Sequence, residues 1–348
     1  MASFMDELVS VVRSLVVIVR GLWRSITLYF HFRRLPSWNF QLFLAIAILR
    51  SFTDAHSTDL EGLRSVTDCP LMPTIPKGAK WVRKTIKDHI RTEIIWPSKL
   101  LGRETPKDLT RHRIIIYLHG GGGAVCSPLT HRVITHAVAV SSEAIVFAPQ
   151  YRRIPDFHLS DSVSDCVDVY RHLVKDLGIC SSQIAIAGDS AGGSLTVLTI
   201  CQIRDSGLPL PACGALLSPW CDFEDDYSQP HQAHPHIDYI GRDILRYMGN
   251  MICGANPTVM SPIKMNLTGF PPLLIQLGVA EILADQIRLF YKLCEAQGVE
   301  TRYLEYEEMV HIPHLFSIFS RTGEKAVADL ANFLRDRIRA VNSLHSSS

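Results

Sequence analysis

A serine framed by glycines is the residue of this sequence best suited to act as a nucleophile. It follows the apolar segment Ile184–Ala187 and precedes a helical run from Leu195 to Cys201. The motif reads Gly188, Asp189, Ser190, Ala191, Gly192 and Gly193. Gly-x-Ser-x-Gly between a strand and a helix is the nucleophile elbow, a strained turn that exposes the hydroxyl beside a helix N-terminus. The pattern predicts attack by Ser190 on a carbonyl carbon, and an ordinary strand–helix turn is the alternative.

A second glycine-rich run predicts donors for a developing oxyanion. It follows the apolar segment Ile114–Leu118 and reads His119, Gly120, Gly121 and Gly122. Acyl transfer needs N–H groups aimed at the negatively charged oxygen, and glycines let the backbone approach it closely. We expect the donors to be the N–H groups of Gly121, Gly122 and Ala191, with a structural role for His119. A phosphate loop is disfavoured, because no Gly-Lys-Ser/Thr follows and no G-x-G-x-x-G opens a helix.

A serine nucleophile needs an acid and a base, which follow this kind of elbow in the order serine, acid, histidine. Glu281 comes soon after the apolar segment Leu273–Leu277, near the edge of a parallel sheet where such sites assemble. We therefore predict that Glu281 is the acid. Asp285 is the alternative, although an acid one turn later also stabilises a helix N-terminus without any chemical role.

The predicted base is a histidine that follows the next strand candidate. His311 comes after Arg302–Tyr306, and His314 lies three residues further on as the alternative. An imidazole at this position would take the proton from the serine hydroxyl and later return it to the leaving group.

The elements that position these residues alternate between apolar runs and helix-period segments. Continuously apolar runs are typical of parallel strands buried on both faces. Helical faces are predicted around 163–174, 283–294 and 327–338. This order predicts an α/β fold with a mostly parallel central sheet flanked by helices. The strand candidates are Ile114–Leu118, Ala144–Ala148, Ile184–Ala187, Ala215–Leu217, Leu273–Leu277 and Arg302–Tyr306.

The composition and the positions of proline and glycine indicate the domain organisation. The chain has 348 residues, 47% hydrophobic and 20% charged, with a formal net charge of +1. These values exclude a disordered chain and disfavour a nucleic-acid binder held by bulk positive charge. Prolines 70, 73 and 76 and Gly78 mark a boundary. We predict an N-terminal helical cap over 1–75 and a catalytic domain over 76–348.

The first 50 residues are basic and apolar, with six arginines against two acidic residues. Arg13 and Arg20 interrupt the apolar run, so neither a standard signal peptide nor a simple spanning helix is favoured. The segment fits a lid over an apolar pocket, or a helix lying in a membrane interface with arginines on its polar face. Both readings, and their coexistence, stay open. The expected location is intracellular, either cytoplasmic or membrane-associated, with the endoplasmic reticulum as one such membrane.

Neither a metal nor a cofactor is expected. The nine cysteines include no C-x-x-C pair, which is typical of buried free thiols in an intracellular protein. His231, His234 and His236 lie among prolines and polar residues, with no acids or cysteines at ligand spacing. We predict that this histidine cluster belongs to a loop.

Taken together, the two glycine motifs resemble the hormone-sensitive-lipase branch of the α/β-hydrolase fold esterases. That branch pairs an HGGG motif with a GDSAGG elbow about 70 residues downstream, and here Ser190 follows His119 by 71 residues (190 − 119). The segments 151–155 and 217–222 are also similar to it. Two positions depart from the pattern, since Glu281 stands where Asp is usual and Gly123 where an aromatic residue is common. The resemblance implies an α/β-hydrolase fold and an N-terminal helical cap.

The activity implied is hydrolysis of acyl esters, short-chain or acetyl, of a small apolar molecule. The expected partner is therefore a small-molecule ester, with peripheral membrane contact through residues 1–50 left open, as is the oligomeric state. An acyltransferase or lyase using the same site, for example in secondary metabolism, is one alternative. A non-catalytic small-molecule receptor is another, although such a receptor is expected to lack the base that His311 would supply.

Overall fold

The molecule is built around one eight-stranded sheet. The structure, a computed structural model, describes residues 19–27, 30, 38–68, 78–100, 108–225, 237–255 and 261–338. The strands are β1 (Ala79–Ile86), β2 (Ile90–Pro97), β3 (Ile114–Leu118), β4 (Ile145–Pro149), β5 (Ile184–Asp189), β6 (Cys213–Leu217), β7 (Leu273–Gly278) and β8 (Thr301–Tyr306). They lie in the order β1-β2-β4-β3-β5-β6-β7-β8. This is the α/β-hydrolase fold expected from the motifs.

The sheet is parallel from β3 to β8 and antiparallel only at one end. Strand β1 pairs with β2, and β2 with β4, in antiparallel register, while the other neighbours run parallel. All six predicted strands form, within two residues of the predicted ends. The sequence did not reveal β1, because it is an edge strand whose exposed lysines and arginine break the apolar pattern. It did not reveal β2 because Arg91, Thr92 and Glu93 interrupt the apolar run of that strand.

Helices cover both faces of the sheet. They are α1 (Phe40–Ala55), α2 (Leu60–Thr67), α3 (Arg132–Ser142), α4 (Leu159–Arg171), α5 (Ala191–Asp205), α6 (Arg242–Ala255), α7 (Ala284–Ala296) and α8 (Arg321–Arg337). Alternate side chains of each strand feed two cores: β3 sends Ile114 and Ile116 to a cluster with α4, α5 and α7, and Ile115 and Tyr117 to one with α3 and α8. Burial on both faces explains why these strands read as unbroken apolar runs.

The N-terminal helix α1 has its own core against the loops that follow β7 and β8. Its Leu42, Phe43 and Ile46 are fully buried in a third apolar cluster, together with Ala280 and Val310. Asn39 begins the helix, since its side-chain oxygen accepts the Leu42 N–H at 2.9 Å. This apolar stretch is therefore a packed helix beside the residues predicted to act as acid and base.

The predictions about cysteines, metal sites and membrane-spanning helices can be compared with the described residues only. Eight cysteines lie in the described residues and all are free, five of them buried. The histidines 231, 234 and 236 lie outside the described residues. Within the described ranges, no cluster of three or more His, Cys, Asp or Glu could hold a metal ion. A search of the same ranges finds no helix with the length and hydropathy needed to cross a membrane.

The burial of α1 predicts that this helix is part of the cooperative fold. Replacing Leu42 by alanine should lower the free energy of unfolding by about 2–5 kcal/mol, because it leaves a cavity in a fully buried cluster. Gln41→Ala is the matched control, since Gln41 is exposed on the same helix turn and should cost almost nothing. Urea denaturation measures both values, and equal stability of the two variants would contradict the packing role of α1.

Candidate active site

Ser190 occupies a strained turn between β5 and α5. Its backbone has φ 52° and ψ −123°, a left-handed conformation that L-residues rarely adopt. The turn is held on both sides, because the Ser190 N–H donates to the carbonyl of Leu217 at 2.9 Å and the Ser190 carbonyl accepts from the Trp220 N–H at 3.1 Å. A side chain at Gly192 would collide with the carbonyl oxygen of Leu118. Glycine there lets α5 begin directly against the end of β3.

The loop after β3 lies against this serine. A Cβ added to Gly120 would stand 3.1 Å from the Cβ of Ser190, and Gly121 has φ +104°, where a side chain would be strained. Among the backbone hydrogen bonds of the loops, turns and caps in the described residues, none is donated by the N–H groups of Gly121, Gly122 or Ala191. Three unpaired donors therefore lie on the two segments that meet at the serine, the arrangement an oxyanion requires.

Glu281 and His311 face each other in the interior. Glu281 Oε1 and His311 Nδ1 are 3.7 Å apart, and both side chains are 0% exposed. The other carboxylate oxygen, Oε2, accepts from Ser218 Oγ at 2.5 Å and from the Gly278 N–H at 3.0 Å. These two donors hold the carboxylate through Oε2, so that Oε1 faces the imidazole of His311.

His311 has no hydrogen-bond partner at either ring nitrogen within the described part of the chain. It is therefore not hydrogen-bonded to Ser190, which is itself only 6% exposed. Hydrogen bonds between such groups are often long in unliganded sites and shorten when substrate binds. Burial alone would lower the pKa of His311, but the nearby carboxylates of Glu281, Asp238 and Asp189 outweigh it, so this pKa is raised.

The two alternative residues lie in different environments. Asp285 is partly exposed at the start of α7 and forms an ion pair with Arg288 at 3.1 Å, as a helix-stabilising acid would. His314 is buried, and its Nε2 lies 3.1 Å from Gln276 Oε1, while burial lowers its pKa to about 4. The structure thus brings Glu281, not Asp285, next to His311.

Comparison with known proteins identifies the family of the chain. The family model described as alpha/beta hydrolase fold matches residues 115–315. The chain belongs to this family. It is also 34% identical to an acetyl-hydrolase of Streptomyces hygroscopicus over 64% of this chain and 75% of the relative, and 27% identical to an esterase of Acinetobacter venetianus over 67% and 78%.

Solved structures identify the branch of this α/β-hydrolase family. The chain superimposes on an esterase from the bacterial hormone-sensitive lipase family with a TM-score of 0.69 and 27% identity, covering 94% of this chain and 98% of that one. A hormone-sensitive lipase from a metagenome library gives a TM-score of 0.72 and 25% identity, covering 84% and 97%. The protein is thus a hydrolase of carboxylic esters from the hormone-sensitive-lipase-like branch.

A buried carboxylate that the sequence did not reveal joins two of these loops. Asp238 is fully buried; its Oδ1 accepts the His311 N–H at 3.2 Å and its Oδ2 accepts the Ile282 N–H at 2.9 Å. Burial raises the pKa of Asp238 to about 6, although His311 and the N–H donors act in the opposite direction. The one side chain therefore ties the loop after β7 to the loop after β8. No sequence signal separates Asp238 from an ordinary loop aspartate.

Ser218 plays a similar part on a third strand end. Its Oγ donates to Glu281 and accepts the Ile312 N–H at 3.0 Å, so it bridges the acid and the segment that carries His311. The sequence placed Ser218 in a segment similar to the family but gave it no contact. Its signal was its position directly after β6, at the edge where the other strand-end residues meet.

The motif residues that flank the two glycine runs form a separate network beneath the serine. Asp189 accepts from Tyr117 Oη at 2.7 Å and lies 3.1 Å from His131 Nε2. His119 stacks on Tyr151 with ring centroids 4.3 Å apart, and burial lowers its pKa to about 3. His119 is thus a buried ring that packs in the support of the elbow, and its structural role stays a prediction.

The contacts of Asp238 predict that its charge is needed for activity. In Asp238→Asn, one N–H donor would face the amide NH2 instead of an oxygen, at a cost of about 1–3 kcal/mol. We expect kcat for a p-nitrophenyl ester to fall at least tenfold. The change in KM should be smaller, because the contacts of Asp238 are to backbone groups of the protein. Asp243→Asn, an exposed carboxylate in the same stretch of chain, is the control. Unchanged kcat in Asp238→Asn would show that the two loops hold their geometry without it.

Proposed function

We propose that the protein hydrolyses short-chain or acetyl esters of a small apolar molecule through Ser190, His311 and Glu281. The observation that carries the proposal is the buried pair of Glu281 and His311, 3.7 Å apart, which follow β7 and β8 at the same edge of the sheet as the Ser190 elbow after β5. A carboxylate beside Nδ1 keeps the proton on that nitrogen and leaves Nε2 free to act as a base.

The proposed reaction proceeds through an acyl-enzyme. Nε2 of His311 takes the hydroxyl proton as Ser190 Oγ bonds to the ester carbonyl carbon, and the carbonyl oxygen becomes an oxyanion. The N–H groups of Gly121, Gly122 and Ala191 stabilise that oxyanion. The imidazolium then protonates the leaving alcohol. In the second half-reaction, His311 takes a proton from water as the water oxygen bonds to the acyl carbon, and it gives that proton to Ser190 Oγ as the acyl–Oγ bond breaks. This step releases the acid and restores Ser190.

The preference for a small acyl group is supported by the closure of the site. Ser190 is 6% exposed, and the side chain of Met248 from α6 lies against Gly122, since a Cβ there would meet Met248 at 2.9 Å. The similarity to an acetyl-hydrolase supports the same choice. We propose that the helices of residues 1–75 act as the cap of this site, because α1 packs on the loops that carry Glu281 and His311.

The proposed roles predict a graded loss of activity. Ser190→Ala should lower kcat for p-nitrophenyl acetate on the order of 10⁴–10⁶-fold, because no acyl-enzyme can form. Glu281→Gln should lower it about 10⁴-fold, since the amide favours the wrong histidine tautomer. Asp285→Asn, the neighbouring acid, should retain nearly full activity. Stopped-flow or steady-state absorbance at varied ester concentration gives all three values.

Two results would contradict these assignments. Near-normal turnover by Ser190→Ala would exclude it as the nucleophile, and a larger loss in Asp285→Asn than in Glu281→Gln would make Asp285 the acid. Running the same assay with acetate, butyrate and octanoate esters tests the acyl preference, and faster turnover of octanoate would overturn it. An added alcohol acceptor distinguishes hydrolysis from acyl transfer by the product that dominates.

The pH dependence should report the His311 imidazole. As a base it must be neutral, so kcat/KM should rise with pH through an acidic limb whose midpoint lies above 6.5, the ordinary pKa, since nearby carboxylates raise this pKa. Removing a negative charge favours the neutral ring, so residual activity of Glu281→Gln should rise at lower pH than in the wild type. Asp285→Asn should leave the limb in place. A limb that does not move in Glu281→Gln would contradict the electrostatic coupling.

A further inference from the structure

The helical segment 19–27 is oriented with its small residues inward and its large apolar residues outward. Val19, Leu22, Trp23 and Ile26 are all exposed, with Trp23 at 70%. Their spacing is i, i+3, i+4 and i+7, which places them in one stripe along the helix. A helix on a soluble protein usually turns such a stripe toward the core, and here the stripe faces away from it.

The inward face is made by different residues. Ser25 is fully buried and Gly21 is buried against α1, where a Cβ would stand 3.1 Å from Ile48 Cα. Arg24 turns toward the protein and forms an ion pair with Asp54 at 3.0 Å. Small residues four apart allow two helices to approach closely, as they do for helices in lipid, where apolar side chains are left to face the surroundings. All four large apolar side chains stay 44–70% exposed, and Val19 and Trp23 are the most exposed of them.

From this arrangement we infer that the stripe Val19, Leu22, Trp23 and Ile26 docks the protein on the interfacial region of an anionic lipid bilayer. Exposed tryptophan beside aliphatic residues is the composition of helices that lie in the headgroup region. The charge beside the stripe fits an anionic surface, since Arg20 is exposed at its flank, whereas Arg24 and Arg50 are ion-paired with Asp54.

The size of the stripe favours a lipid surface over a second copy of this chain. Four side chains expose well under the roughly 800 Å² per partner that a stable protein interface buries. A bilayer has no such requirement, because each inserted apolar side chain contributes separately and arginines add electrostatic attraction. Docking of this kind is peripheral, and it would hold the helix α1, which packs on the loops around Glu281 and His311, near a phase in which apolar esters dissolve.

Vesicle flotation with the full chain tests the inference. The probe is unilamellar vesicles of phosphatidylcholine and phosphatidylserine at 70:30, with pure phosphatidylcholine alongside. We expect the wild type to float with the anionic vesicles and to be released in part by 0.5 M NaCl, since salt screens the arginine contribution. The triple variant L22S/W23S/I26S should partition at least tenfold more weakly, while its thermal unfolding midpoint should fall by only a few degrees, since Trp23 is 70% exposed and Leu22 and Ile26 are each 44% exposed.

Matched variants elsewhere on the surface separate this stripe from general hydrophobicity. Leu289 and Ile318 are 55% and 60% exposed on other elements, so L289S/I318S should float like the wild type. As a second readout, brominated phosphatidylcholine in the vesicles should quench tryptophan emission in the wild type and much less in Trp23→Phe.

Three outcomes would overturn the inference. The wild type could stay at the bottom of the gradient with anionic vesicles, or the triple variant could float as well as the wild type. Alternatively, sedimentation velocity could show a dimer that L22S/W23S/I26S converts to monomer without any vesicle binding, in which case the stripe is an interface between copies of this chain.

Discussion

The left-handed backbone of Ser190 is the constraint on which the surrounding structure depends. A residue at φ 52° is strained and persists only when its neighbours over-determine it. Here β6 supplies the Leu217 carbonyl to one side of the turn, and the backbone of Trp220 holds the other. Glycine at 192 is required because the carbonyl of Leu118 occupies the space a side chain would fill. The two glycine motifs therefore depend on each other. The loop after β3 and the start of α5 can meet only because Gly120 and Gly192 have no side chains.

Several buried carboxylates near one imidazole determine the electrostatics of the site. Glu281, Asp238 and Asp189 all raise the pKa of His311 against the effect of its burial. Each carboxylate has its own set of donors, backbone N–H groups for Asp238 and a tyrosine and a histidine for Asp189. A buried charge is tolerated when such donors are present. In the proposed reaction, the carboxylates that would stabilise an imidazolium at His311 are therefore already held in place by the fold.

Much of this could be predicted from the sequence because the signals were local. Parallel strands buried on both faces leave unbroken apolar runs, and the elbow and the loop after β3 leave glycines at fixed spacing. Asp238 could not be predicted, because its contacts are to residues 44 and 73 positions away, and a loop aspartate has no periodicity. Strand β1 was missed because an edge strand is half solvated, so its sequence carries charges that hide the alternation. Strand β2 is almost entirely buried, but Arg91, Thr92 and Glu93 interrupt its apolar run.

The N-terminal segment shows how a helical pattern can leave orientation undetermined. A wheel that separates Arg20 and Arg24 from Val19 and Trp23 is equally compatible with an apolar face packed on the body or turned outward. Two small residues, which contribute little hydrophobic burial, determine which face of the helix packs on α1. Gly21 and Ser25 permit a close approach to α1 that a leucine would prevent. Steric fit at two small residues therefore sets the orientation of the helix, and it leaves Val19 and Trp23 largely exposed, the side chains that the proposed lipid docking would cover.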